Sequence, residues 1–363
     1  MMREERKIRA SSFALLVMLY TIGSSILLSP SSLTFEAKQD AWIGAILGIG
    51  VGIAAAILYS RLGRYFPNMT LVEYSETILG KWVGKGVSVL FICFFFTIAS
   101  LILRNLGDFL TTQIMPETPI QFIEIIFVII VIMGVRLGLE TLAGAAGIFL
   151  PWFILLLVIL TLFLIPEIDI KKIQPVFEEG IKPIIHSALL FMGFPFFEIV
   201  AFLMFIPYVD KQEKVGKALI VGTGAGGLVL FTLTLLSVLV LGPTATAGNA
   251  YPSYLLAKKI NIGNFITRIE AIMAIMWFVT IFFKLALSFY ASILGLAQLL
   301  KLKEYRILTL PLSMILIVAS LVLEPNTPYL IKFNESSWWL YSSTYGLIFP
   351  ALLLVVAMLR KKV

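Results

Sequence analysis

The chain has 363 residues, 60% of them hydrophobic and only 13% charged, with a mean hydropathy of +0.99, whereas soluble domains run at about 45–50% apolar and about 25% charged. A water-soluble globule is excluded, because charge-free runs such as Ala41 to Ser60, Thr141 to Pro166, Ala218 to Ala257 and Ser336 to Leu359 leave too little polar surface to cover it. The formal charge of +7 comes from basic residues at the ends of apolar runs, which points to membrane lipid rather than nucleic acid as partner; one cysteine, Cys93, and one histidine, His186, exclude an intramolecular disulfide and argue against a zinc site.

At about 20 apolar residues per crossing of a ~30 Å hydrocarbon core, the sequence predicts ten spans, near 10–35, 41–60, 83–111, 120–136, 142–165, 183–208, 216–241, 266–297, 307–323 and 337–359. The basic stretch Met1 to Arg9 could head a signal peptide. The apolar run after it continues through Ser29 with no small-x-small cleavage pattern, so it is expected to stay as the first span. Of the 28 basic residues, 18 fall at the two termini and in the even-numbered loops, against 7 in the odd-numbered loops. That bias predicts cytoplasmic termini. Arg104, Arg268 and Lys284 are left within spans.

Span one contains Gly23 followed by Ser24, Ser25 and Pro30, and span six contains Gly193-Phe194-Pro195. Glycine weakens a helix and proline removes a backbone donor, so both spans are expected to be interrupted in mid-membrane. Each interruption opens a set of five spans, and because five is odd the second set runs inverted. The predicted fold is therefore an all-α membrane protein of ten transmembrane helices in two inverted five-helix repeats, 1–168 and 169–363, with helices 1 and 6 interrupted. Paired broken helices mark the central site of many transporter folds, where half-helix N-termini face anions and freed carbonyls face cations. Gly44, Gly48 and Gly52 in span two, and Gly222, Gly224, Gly226 and Gly227 in span seven, suggest close helix approach rather than a phosphate loop.

Four stretches carry a family resemblance: Arg9-Ala10-Ser11-Ser12 leading into Thr21-Ile22-Gly23; Leu71-Val72-Glu73-Tyr74 with Leu79-Gly80; Phe194-Pro195-Phe196-Phe197-Glu198; and Phe282-Phe283-Lys284. In these the chain resembles the permease-like B subunit of spore nutrient-germinant receptors, a branch of the amino acid, polyamine and organocation transporter superfamily. The resemblance implies a subunit of the spore inner membrane that recognises a small nutrient, typically an amino acid, beside a second membrane subunit and a lipoprotein. It also implies that Lys284 stands in for the cation that several superfamily members hold between spans one and eight.

Candidate ligand-binding residues are then Ile22, Gly23, Ser24 and Ser25 of span one, Thr97 and Ser100 of span three, Gly193 and Phe194 of span six, and Thr280 and Ser288 of span eight, which lie one turn either side of Lys284. Glu198 follows the second break, where it could cap the half-helix or pair with Lys284. Lys284 could equally form a structural pair or snorkel to the interface. Arg104 and Asp108, four residues apart, are expected to pair on one helix face as a structural or outer-gate element. Arg268 with Glu270, and His186, read as boundary residues. No nucleophile or acid/base constellation points to catalysis, and no cofactor or metal is expected. The competing function is a secondary active amino acid permease, possible with proton coupling, since one fold serves both.

Overall fold

The computed structural model describes residues 7–260, 269–323 and 337–360; Arg268 lies outside them. Among the described residues, nine helical stretches are long and apolar enough to cross a membrane, and Ala10–Ile22 is a shorter apolar helix. Helix α1 (Ala10–Ile22) has 13 residues, about 20 Å at ~1.5 Å per residue, too short to cross alone. It completes its crossing through α2 (Ser25–Ala37), and after a turn at Lys38–Asp40 the chain returns as α3 (Ala41–Tyr65). Counted this way the described residues make ten crossings, the number the sequence predicts.

The short helix α4 (Leu71–Leu79) starts at a capping box in which Thr70 Oγ1 accepts from the Glu73 N–H and Glu73 accepts from the Thr70 N–H. Then come α5 (Lys81–Gln113), α6 (Ile120–Leu137) and α7 (Leu139–Leu164). Span six is α8 (Ile181–Gly193), a break at Phe194 to Phe196, and a tight 3₁₀ helix Phe197–Met204. Helix α9 (Gln212–Leu241) leads through two short helices, α10 (Pro243–Ala247) and α11 (Pro252–Lys258), to α12 (Glu270–Leu299), α13 (Thr309–Leu323) and a final helix Trp339–Leu359.

The glycine rows seat the two broken spans. A Cβ at Gly44, Gly48 or Gly52 of α3 would come within 2.2 to 2.6 Å of Ser187, Phe191 or Phe196, all in span six. In α9, a Cβ at Gly222 would meet the Ala14 carbonyl at 2.5 Å, and one at Gly226 would meet Thr21 at 2.7 Å, both in α1. Span two thus cradles span six, and span seven cradles span one. Without water to drive burial, such small-residue contacts are what lets membrane helices approach. The free ends of the broken spans are also joined: the Ile8 N–H donates to the Tyr208 carbonyl at 2.8 Å, and the Asp210 N–H donates to the Ile8 carbonyl at 2.9 Å.

Candidate functional site

The first break is sharp. Gly23 has φ +35, a conformation that L side chains rarely adopt, and a Cβ there would sit 2.2 Å from Lys284 Cδ. Only glycine suits both demands. The carbonyl freed at Gly23 accepts from Thr280 Oγ1 at 2.9 Å, so α12 holds the break open. Tyr20 Oη, one turn back along α1, and Ser288 Oγ, two turns further along α12, are hydrogen bonded at 2.9 Å. Ser24 and Ser25 then start α2 with fully buried hydroxyls that have no hydrogen-bond partner.

Lys284 reaches across to the second break. Its ammonium lies 2.7 Å from Glu198 Oε2, donates to the Phe194 carbonyl at 3.3 Å and sits 4.8 Å above the Phe194 ring. Neither member of the pair is more than 2% exposed. Trp338 Nε1 donates to the other carboxylate oxygen at 3.2 Å. The ammonium is therefore received by the span-six carbonyl, while the span-one carbonyl goes to a hydroxyl. A resident sodium ion does not fit beside Gly23, because the lysine stem fills that space and its charge would repel a second cation. Among the described residues, no group of three or more His, Cys, Asp or Glu could hold a metal.

A cavity of about 50 Å³ adjoins the pair, bounded by Ser29, Ser32, Phe191, Phe194 and Trp338. A water molecule's share of liquid is ~30 Å³, so this cavity is too small for an amino acid.

Several expected residues lie elsewhere. Gly193 is the last residue of α8 rather than part of the break; it gives close approach to the final helix, where a Cβ would meet Trp339 Cα at 2.8 Å. Ser100 turns back to donate to the Phe96 carbonyl at 2.9 Å. Thr97 bonds to Tyr341 and lines an apolar cleft of about 380 Å³ with Cys93 and Ser292, away from both breaks. Ile22 is the buried last residue of α1. Arg104 and Asp108 do pair, at 3.0 Å.

The turn between spans one and two is clasped to the loop before α8. Lys38 pairs with Glu179, Gln39 donates to Glu178 at 2.8 Å, and the Phe177 N–H donates to Asp40 at 2.9 Å. Glu179 raises the Lys38 ammonium above its ordinary value. Burial, opposed by the Phe177 N–H and reinforced by Glu178 and Glu179, raises the Asp40 carboxyl. His186 is not alone at its boundary; its Nδ1 is 2.9 Å from Glu36.

One ionisable residue escapes the sequence reading. Glu124, a lone acid in the apolar run of α6, is fully buried. The signal was available, since an acid at that depth is as costly as the basic residues that stood out.

The comparisons with known proteins bear on family and fold. A family model described as "Spore germination protein" matches residues 7–328. The chain is 28% identical over 363 residues to spore germination protein KB of Bacillus subtilis (strain 168), covering 99% of this chain and 96% of that protein. Among solved structures, it is similar to MhsT in complex with L-phenylalanine, with TM-score 0.69 and 16% identity over 98% of this chain and 99% of that one. It is also similar to Mhp1, a nucleobase-cation-symport-1 family transporter, with TM-score 0.69 and 11% identity over 96% of this chain and 80% of that one. At these identities the two structures speak for the fold.

Proposed function

The chain belongs to the spore germination protein family, and on that premise we propose that it is the nutrient-sensing subunit of a germinant receptor, taking a small zwitterion, most simply an amino acid, between its two helix breaks. The observation that carries this reading is the pair of buried, partnerless hydroxyls on Ser24 and Ser25 at the start of α2. A helix N-terminus with spare donors suits a carboxylate. The carbonyls of the span-six break and Glu198 suit an ammonium. MhsT, similar in fold along its whole length, is solved with L-phenylalanine, which supports an amino acid. Ile22, Gly23 and Phe194 would shape the pocket, with Thr280 and Ser288 bracing span one. Lys284 would serve as a built-in cation joining the breaks. Phe194 and Trp338 would have to swing aside to admit the ligand, since the present cavity is too small.

Partner subunits follow from the family; a second membrane subunit and a lipoprotein, the spore inner membrane and cytoplasmic termini complete the proposal. The alternative is a permease that moves its amino acid across the membrane, favoured by the full-length likeness to transporters. Thermal melting of the full chain in lipid nanodiscs against each of the twenty amino acids tests both. A ligand at 100 times its Kd adds about 2.7 kcal/mol of stability, so one amino acid should raise the melting temperature. Gly23→Ala should abolish that rise while the protein still inserts. If no amino acid shifts the melting, the proposal fails; uptake of the shifting amino acid into sealed liposomes would favour the permease.

A further inference from the structure

A second buried polar cluster lies away from the helix breaks. Arg104 and Asp108 of α5 form an ion pair whose side chains are 12% and 6% exposed. Glu124 of α6 packs against the same helix, with Oε1 3.2 Å from where a Cβ on Gly107 would stand. Arg104 and Asp108 are the charged groups that act on Glu124. From α13 comes the Ser320 hydroxyl. From α12, Phe278 and Phe282 pack on Phe127, one turn along α6 from Glu124, and both are apolar. Among the described residues the cluster therefore holds one guanidinium and two carboxyls, and the guanidinium is already paired. An ionised Glu124 would be an uncompensated charge in a low dielectric, which is prohibitive.

The hydrogen count at Ser320 points the same way. Its Oγ lies 2.7 Å from Glu124 Oε2 and also 2.7 Å from the Ile317 carbonyl, both distances normal for an O–H···O bond. A hydroxyl has one hydrogen, so it can close only one of the two contacts. A proton on Glu124 supplies the other: the carboxylic acid donates to Ser320 Oγ, and Ser320 donates to the Ile317 carbonyl. A metal ion is the weaker fit, because a guanidinium stands close by and, among the described residues, no group of three or more His, Cys, Asp or Glu gathers there.

We propose that Glu124 is a proton-binding site, occupied in this conformation, whose proton joins α6 to α13 and whose loss would set a second carboxylate against Asp108 of α5. On losing it, the carboxylate keeps both electrons of the O–H bond and the proton passes to water. The site is independent of the nutrient reading, and it gives the protein a means of responding to pH outside its central pocket.

The test is infrared difference spectroscopy of the full chain in lipid nanodiscs at neutral pH. Glu124→Gln should remove a protonated-acid C=O band, and Glu198→Gln, which alters the lysine-paired carboxylate, should remove a carboxylate band instead. Ser320→Ala, which keeps the acid but deletes its acceptor, should shift the acid band to higher frequency and decides the matter should Glu124→Gln not fold. On raising the pH to alkaline values, the wild type should lose thermal stability and Glu124→Gln should not. Loss of a carboxylate band in Glu124→Gln, an unmoved acid band in Ser320→Ala, or a sodium-dependent rise in melting that needs Glu124 would each overturn the proposal.

Discussion

A lysine with no exposed side-chain surface can be kept charged inside a bilayer only if its partners replace water fully. Lys284 meets that condition with a carboxylate at 2.7 Å, a carbonyl at 3.3 Å and an aromatic face at 4.8 Å. Replacing such a pair wholly by apolar groups is often neutral, whereas removing one partner strands the other. Lys284→Met should accordingly cost about 3–5 kcal/mol, because Glu198 loses its countercharge. Glu198→Gln should be damaging too, and the double variant should cost less than the sum, with a coupling in the ~0.5–3 kcal/mol range. A thermal or denaturant double-mutant cycle measures it, and strict additivity would mean that the pair does not act as a unit. Lys284 was legible in the sequence because it stands alone in a long apolar run with hydroxyls a turn away. Its partner was not, since nothing local joins residues 198 and 284. The surroundings of Thr97 were not legible for a related reason: between Val87 and Leu103 α5 is almost wholly apolar, so that stretch does not fix its own rotation about the helix axis.

The elements around the site are held mainly by shape, and charge enters at their ends. The turn Lys38–Asp40 is fastened to the loop before α8, yet Asp40 stands near Glu178 and Glu179 and is buried, so its proton affinity is raised by folding. The folded value lies above the unfolded one. Asp40 therefore contributes most at acid pH, and its contribution is lost as pH rises through the folded value. Asp40→Asn keeps an acceptor for the Phe177 N–H and removes the repulsion. It should be more stable than wild type at neutral pH by up to about 1 kcal/mol, with the advantage shrinking on acidification; melting curves at the two pH values check this. The clasp itself could not be read from sequence, because it joins segments 136 to 141 residues apart. The helix breaks could, because Gly23 and Pro195 act on their own backbone. The break in span six starts just after Gly193 because Pro195 lacks a donor there and Gly193 is needed for contact with Trp339.

At the scale of the whole molecule, two independent patterns converge on an inverted arrangement. The glycine row of span two receives span six and that of span seven receives span one, the reciprocity that two repeats divided near 168 would produce. Chain ends and loops are sorted in the same sense. At one end Ile8 bonds to Tyr208 and Asp210, Arg360 donates to the Ile78 carbonyl of α4, Thr70 bonds to Gln298, and Arg306 donates to the Arg136 carbonyl. At the other, Lys38 meets Glu179, Ser31 donates to the Ala247 carbonyl and the Asp169 N–H to the Leu239 carbonyl. The contacts say which loops share an end, and the basic bias says which end faces the cytoplasm. In a Cys93→Ala background, Lys7→Cys and Lys303→Cys should be labelled by an impermeant thiol reagent only from the cytoplasmic side, and Val176→Cys only from the opposite side. Labelling of residues 7 and 176 from one and the same side would require an even number of crossings between them, against the odd number, five, on which the inversion depends. If instead all three labels exchanged sides together, the contacts would stand and only the orientation drawn from the lysines and arginines would fall.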